Sequence, residues 1–532
     1  MPDYQLTIAA IFRHGRTIYG DSDVISVDGG ERRVAEFSIV ASRVEQLAAA
    51  LARLGVRPGD RVATLGWNTQ AHLEAYLAVP AMGAVLHTAN LRLFPDELVY
   101  TITHAGDKVI LADAELVPML ASLLPRMPSV ETVIVMGQGD TEALPEALRY
   151  DALLDAETPR YEWPELDERA AAIVCYTSGT TGEPKGVVYS HRSVYLHSLA
   201  ITSAAACALT EYDRVLPVVP MFHANAWGLP YAAWLVGADL ILPGRNVQAE
   251  ALCRLISTER ATFAAAVPTV WSDVLRYSQT NAVELGSLRM ILCGGAALPR
   301  VLLEQFEQRH DVPIIQAWGM TETGPLAALA FPPKHRHGQL ENEWRARTGR
   351  IIPGIEMRIV GGDGALPWDG AAVGEIQVRG PWVTTSYHGA PTPEKFDQGW
   401  LRTGDIGSAF PNGFMQITDR AKDVIKSGGE WISSVELETA LMAHPDVVEA
   451  SVIGVPDPRW TERPLACVVK RPGSRVTPDD LRTFLSSRVA RWWLPERWSF
   501  VTEIPKTSVG KFDKKVLRAR QAAGTLDVLE TH

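Results

Sequence analysis

Ala171-Ala172-Ile173-Val174-Cys175-Tyr176-Thr177-Ser178-Gly179-Thr180-Thr181-Gly182-Glu183-Pro184-Lys185-Gly186-Val187-Val188-Tyr189 is the stretch that decides how this chain folds. The apolar run 171–175 reads as a buried strand, and 187–189 as a second β-like run. Between them Gly179, Gly182 and Gly186 let the backbone turn its N–H groups inward. Thr177, Ser178, Thr180 and Thr181 add hydroxyl donors, and Lys185 adds a point charge. Together they describe a cradle for a polyphosphate. It is not a Walker A loop, because Lys185 follows Pro184 and precedes Gly186, where that motif ends in Gly-Lys-Ser/Thr.

Outward from the loop, helical and strand patterns alternate. Residues 38–54 read as a helix closed by Gly55, then a Pro58-Gly59 turn, a strand over 61–65, and a helix over 71–82 ended by Gly83. A second unit of the same kind is expected over 217–330, with apolar strands at 214–219, 240–242, 263–267 and 290–293. From Thr348 the texture becomes short alternating strands with Gly and Pro turns, a small β-rich unit. A joint falls at Asp419-Arg420-Ala421-Lys422-Asp423. Beyond it a helix at 435–442, strands at 450–455 and 465–470 and a helix at 478–489 suffice for a small α+β domain. The expected fold is therefore α/β: a large N-terminal domain of layered α/β subdomains plus a β-rich subdomain (1–419), then a small mobile α+β domain (420–532).

The bulk numbers exclude several classes. With 532 residues the chain exceeds one compact core. Its 62 acidic against 51 basic residues, net −11, disfavour a nucleic-acid partner and offer no polybasic membrane patch. Cys175, Cys207, Cys253, Cys293 and Cys467 are isolated, which points to reduced thiols in the cytoplasm rather than a disulfide framework or zinc site. No stretch predicts a signal peptide or a membrane span.

The loop Ser178-Gly179-Thr180-Thr181-Gly182 with Lys185-Gly186 resembles the phosphate loop of the adenylate-forming superfamily: acyl-CoA synthetases, luciferases and peptide-synthetase adenylation domains. Further segments resemble that family's motifs in the family's order. These are Gln316-Ala317-Trp318-Gly319-Met320-Thr321-Glu322, Trp400-Leu401-Arg402-Thr403-Gly404-Asp405, Asp419 to Asp423, Lys426-Ser427-Gly428-Gly429-Glu430-Trp431-Ile432-Ser433, and Pro505-Lys506-Thr507-Ser508-Val509-Gly510-Lys511. KSGGEWISS and VVPMFHANAW look like the versions found in bacterial medium- and long-chain fatty-acyl-CoA synthetases.

The resemblance implies a two-step reaction. ATP converts a carboxylic acid to its AMP ester, and coenzyme A then takes the acyl group. Glu322, with Thr177, is implied as the Mg²⁺ ligand; a lone carboxylate with phosphate oxygens and waters suits that ion. Thr321 is implied to bond phosphate. Gly295 and Gln316, Ala317, Trp318 and Gly319 wall the adenine. Asp405 and Arg420 hold the ribose, Lys422 marks the hinge, and Lys426 reaches the acyl-adenylate. Lys511, from the mobile domain, is implied to stabilise the charge that grows as two anions meet. Gly428, Gly429, Glu430 and Trp431 border the coenzyme A path. His223, Ala224 and Trp227 line the acyl side, which lacks the Asp of amino-acid-activating relatives. The expected substrate is an apolar acid, medium or long. Alternatives are a short thioether or aryl acid, or loading of a carrier protein in trans. Many similar bacterial enzymes are dimers, which implies a homodimer. Luciferase-like oxygenation shares every motif. Arg13-His14-Gly15 matches only the opening tripeptide of histidine phosphatases, and a scaffold would leave Glu322, Asp405 and Lys511 without a common purpose.

Overall fold

Arg61–Leu65, Val85–Thr88, Asp107–Asp113, Thr132–Met136 and Ala171–Tyr176 are buried at nearly every position, the pattern of strands covered on both faces. In this computed structural model, which describes residues 3–28, 30–177, 183–334, 339–362, 364–389, 392–427, 430–506 and 512–531, they form one parallel sheet. Gly186–Ser190 closes its edge, running antiparallel to Ala171–Tyr176 with Gly186 opposite Tyr176. The phosphate loop is thus the tip of a hairpin at the sheet's margin.

A second sheet places Asp239–Leu242, Arg214–Pro217, Phe263–Ala266, Met290–Gly294 and Ile314–Gly319 side by side and parallel. Helix Gln70–Ala81 is buried at every position from His72 on, as a helix wedged between layers must be. One apolar cluster joins the sheets, with Val62, Leu86 and Leu111 on one side and Val215, Leu240 and Leu292 on the other. A separate core forms beyond residue 424 around Ile425, Leu437, Val452, Ala466, Leu481 and Trp498. The expected α/β architecture, with a large N-terminal and a small C-terminal domain, is what the chain adopts.

The details depart from the sequence reading in several places. The strand expected over 214–219 stops at Pro217. There the Asn68 side chain takes over the backbone, donating to the carbonyls of Pro217 and Val219 at 2.8 and 2.9 Å and accepting the Met221 N–H at 2.7 Å. The β-rich unit after Thr348 is not separate. Gly349–Ile351 pairs with Leu326–Leu329 on one side and Phe414–Arg420 on the other, so the second sheet continues into it. The last predicted helix is shorter, Pro478–Leu485, and ends with capping bonds from Ser486.

Candidate active site

The neck of the phosphate loop is tied by its own backbone. The Thr177 N–H donates to the Lys185 carbonyl at 2.9 Å, and the Lys185 N–H reaches Thr177 Oγ1 at 3.4 Å. Ser178, Gly179, Thr180, Thr181 and Gly182 lie outside the described residues. Thr177, Glu183 and Lys185 line a cavity of about 350 Å³ between the two sheets. The Lys185 ammonium sits 5.2 Å above the Tyr387 ring.

Across the cavity, strand Ile314–Gly319 ends in a register shift between Trp318 and Gly319. Only glycine fits at 319, since a Cβ would come within 1.9 Å of the Pro325 carbonyl oxygen. That close approach starts the single turn Thr321–Thr323, which carries Glu322 into the cavity wall. Glu322 Oε1 accepts from the Tyr387 hydroxyl at 2.6 Å, while its carbonyl accepts the Thr384 N–H at 2.8 Å. Burial, then the adjoining carboxylate, holds the Tyr387 phenol protonated far above its ordinary range. Thr321 is fixed through its carbonyl, which accepts from Tyr189 at 2.6 Å.

The predicted ribose group is assembled by strand pairing. Asp405 and Arg420 are register partners on neighbouring strands. Asp405 Oδ1 lies 3.1 Å from Arg420 Nε, and Oδ2 accepts the Trp318 indole N–H at 2.9 Å. Asp405 is buried, and its charge holds the half-buried Arg420 guanidinium above its usual pKa. Each carboxylate oxygen keeps a free lone pair, enough to accept from a diol. Trp318 therefore presents its edge to Asp405, a role the sequence did not suggest. Gln316 Oε1 accepts the Leu298 N–H at 3.1 Å, which pins the loop carrying Gly295 against the strand. Gly295, Ala317, Trp318, Gly319, Arg420 and Lys422 border both this cavity and a larger cleft of about 1820 Å³ between the domains.

The other end of the cavity is apolar, with Val219, Pro220, Val267, Leu292 and Leu326 among its walls. His223, Ala224 and Trp227 also line the cavity. His223 stands just before the next turn and makes no side-chain cap bond to it. That turn, Ala224–Gly228, is left-handed throughout, with φ of 43, 54, 47, 58 and 77°. Each non-glycine residue in such a conformation costs about 1–2 kcal/mol, so tertiary contacts must hold it. Gly228 packs under the His197 ring, where a Cβ would meet Nδ1 at 2.7 Å. His197 Nε2 accepts the Leu326 N–H at 3.1 Å, and burial pushes this imidazole down to about 3.

Of the predicted site residues, Asp405 and Gln316 line the larger cleft and not this cavity, and Lys426 lines neither. Lys426 is exposed on strand Ile425–Ser427, with its N–H on Glu462. Side chains alternate between faces along a strand, and Lys426 falls on the exposed face between buried Ile425 and Ser427. Arg13-His14-Gly15 lies in helix Ile8–Ile18, where Gly15 packs on Trp234. Lys511, Gly428 and Gly429, and the side chains of Glu430 and Trp431, lie outside the described residues. Phe512 lines the cavity beside Lys422 and Asp423. The sequence reading missed Tyr387, whose signal was weak, since an isolated Tyr in a Ser-Tyr-His turn carries no spacing to Glu322. Among the described residues no group of three or more His, Cys, Asp or Glu is arranged to hold a metal. A magnesium ion would thus rest on Glu322, Thr177 and the nucleotide's own oxygens, the donor set such an ion accepts.

The two-lobed α/β fold thus holds a cavity that runs from the Thr177–Lys185 neck to an apolar pocket, and Arg420 borders both it and the cleft that Asp405 lines. The chain belongs to the AMP-binding enzyme family, which it matches over residues 16–388, with the family's C-terminal domain over 436–511. It is 45% identical over 531 residues to a long-chain-fatty-acid–CoA ligase of Thermus thermophilus, covering 97% of this chain and 96% of the relative. It is 42% identical over 522 residues to a 3-methylmercaptopropionyl-CoA ligase of Ruegeria lacuscaerulensis, covering 96% and 97%. Among solved structures it is similar to an anthranilate CoA ligase in complex with anthranoyl-AMP, with a TM-score of 0.88, 26% identity and 99% of each chain covered.

Proposed function

We propose that the enzyme is an ATP-dependent acyl-CoA synthetase acting on an apolar monocarboxylic acid, with a medium- or long-chain fatty acid as the preferred class. A carboxylate oxygen of the acid attacks the α-phosphorus of ATP, the bond to the bridging oxygen breaks, and pyrophosphate leaves. The coenzyme A sulfur then attacks the acyl carbonyl, AMP leaves, and the thiol proton is released. The observation that carries this reading is one cavity with a charged end and an apolar end, bordered by Thr177, Lys185, Glu322, Arg420 and Trp227.

In this reading Asp405 accepts from the ribose hydroxyls, and Trp318 and Arg420 fix its orientation. Lys185 and Thr177 face the phosphates. Magnesium, when bound, would neutralise phosphate charge beside Glu322, which Tyr387 holds in place. Lys511 enters with the small domain to meet the charge developing at the α-phosphate, and Lys422 is the hinge between domains 1–419 and 420–532. Asp419 supports a boundary there. Its Oδ2 accepts from both the N–H and the hydroxyl of Ser434, at 2.6 and 2.5 Å, clamping the last residues before the hinge to the small domain. Gly428 to Trp431 form the coenzyme A path after rotation.

The Ruegeria relative favours a second reading, a short thioether acid, in the same chemistry. Screening acids from acetate to palmitate, with cinnamate and 3-methylthiopropionate, for coenzyme A-dependent AMP release separates them. No AMP from any acid would overturn the ligase. Among the described residues no helix is long and apolar enough to cross a membrane, and the five cysteines are free and buried. Those thiols support a cytoplasmic site of action. A homodimer is proposed from the resemblance to bacterial synthetases, and light scattering of the purified protein tests it.

A further inference from the structure

The left-handed turn Ala224–Gly228 carries Trp227 into the apolar end of the cavity, where its ring lies against Gly294: a Cβ there would meet it at 3.3 Å. Of the five residues only Asn225 and Gly228 are of types that adopt this conformation readily. Asn225 is buried, and its Oδ1 accepts from the Cys175 thiol at 3.3 Å. Cys175 Sγ lies 3.2 Å from Thr88 Oγ1. A thiol has one proton, so with that proton on Asn225 the Thr88 hydroxyl must donate to sulfur. Thr88 and Cys175 belong to adjacent parallel strands, and Thr177 stands two residues beyond Cys175. A buried relay thus runs from the sheet behind the phosphate loop to the turn that shapes the acyl pocket.

We propose that Asn225 is a positioning residue for acid selection: held by the Thr88–Cys175 relay, it locks the left-handed turn so that Trp227 stands at a fixed place in the acyl pocket. This rests on the acyl-CoA synthetase reading above. Asn225 touches no reacting atom and acts through Trp227. Were the turn released, Ala224, Ala226 and Trp227 would relax toward right-handed conformations and the pocket would lose its defined depth.

The test is an acid series assayed by acid-dependent pyrophosphate release with wild type, Asn225→Gly, Asn225→Ala, Cys175→Ala and Cys175→Ser. Asn225→Gly keeps left-handed tolerance but loses the amide, so KM for the best acid should rise about fivefold. Asn225→Ala also loses the tolerance and should rise by about a further fivefold. In both, KM for ATP should stay within about twofold. The ratio of kcat/KM between the best acid and acids two carbons longer or shorter should fall toward one. Cys175→Ala should reproduce Asn225→Gly, while Cys175→Ser, which keeps a donor, should restore the wild-type profile. An unchanged acid profile in Asn225→Gly or Cys175→Ala overturns the proposal, as do equal losses for ATP and acid. If the Asn225 variants do not fold, the Cys175 pair decides alone: Ala shifted and Ser normal supports it, and the two behaving alike overturns it. A wild type inactive on every acid would instead sink the synthetase reading.

Discussion

At the polar, nucleotide end, where the cavity meets the inter-domain cleft, charged groups meet fixed partners: Asp405, on the cleft side, between Trp318 and Arg420, and Glu322, on the cavity wall, under Tyr387. At the acyl end the walls are aliphatic, and the shaping element is a strained piece of backbone, Ala224–Gly228. The first end is built to recognise one molecule by directional bonds, which lose most when a single partner is deleted. The second is built to exclude water and measure length, which depends on where a surface stops. Substitutions at the two ends should therefore separate cleanly in kinetics.

The largest separation is expected for Lys511→Ala. Acyl-adenylate formation should fall about a thousandfold, while thioester formation from supplied acyl-AMP changes only a few-fold. Stopped-flow measurement of each half-reaction checks this, and equal losses would remove Lys511 from the nucleotide step. Next comes Asp405→Ala, which strands the Trp318 N–H and the Arg420 charge. Its kcat/KM for ATP should drop about a hundredfold, with KM for the acid nearly constant. A comparable change on the acid side would dissolve the contrast between the two ends.

Tyr387→Phe sharpens the comparison within the nucleotide end. Loss of the hydroxyl bond to Glu322 should cost about fivefold in adenylation and raise the magnesium concentration needed for half-maximal rate. An unaltered magnesium titration would mean that Tyr387 does not orient Glu322. The last expected effect is on stability rather than rate, at His197 behind the acyl end. Burial lowers His197 to about 3 and core residue His72 to about 4. These values lie below the ordinary imidazole value, so the unfolded chain binds protons that the folded chain refuses. Their contribution to stability is intact above about pH 7 and declines as pH falls from there toward 4, by up to about 1.4 kcal/mol per histidine per pH unit. Ring resonances of both should stay neutral between about pH 8 and 5; a ring titrating near its ordinary value would show water reaching that wall.

Much of the nucleotide end was legible in the sequence because its groups sit in short contiguous runs. Asp405 and Arg420 each fall in a motif that stands out in the sequence, and Trp400–Ala409 and Phe414–Arg420 bring the two opposite each other. Tyr387 was not legible, because it reaches Glu322 across 65 residues with nothing in its own neighbourhood to mark it. Lys426 was assigned to the acyl-adenylate from its motif, but the strand it sits on turns it to solvent. That the β-rich unit continues the second sheet was not legible for a related reason. Sequence texture reports local turns, and the hydrogen bonds that join Gly349–Ile351 to both neighbours are long-range.

The sequence by itself determined the hairpin that carries the phosphate loop, the alternation of strands and helices, and the glycine at 319 without which Glu322 could not turn inward. These depend on local propensity and on side-chain size at one position. Only the tertiary structure decided that Trp318 would bond Asp405, that Asn68 would end a strand at Pro217, and that an Ala-Asn-Ala-Trp run would wind left-handed. Only Asn225 in that run tolerates the winding locally, and the two alanines and Trp227 do not. Its cost is met by contacts from Cys175 and His197, drawn from other elements, and such contacts exist only once the sheets have packed.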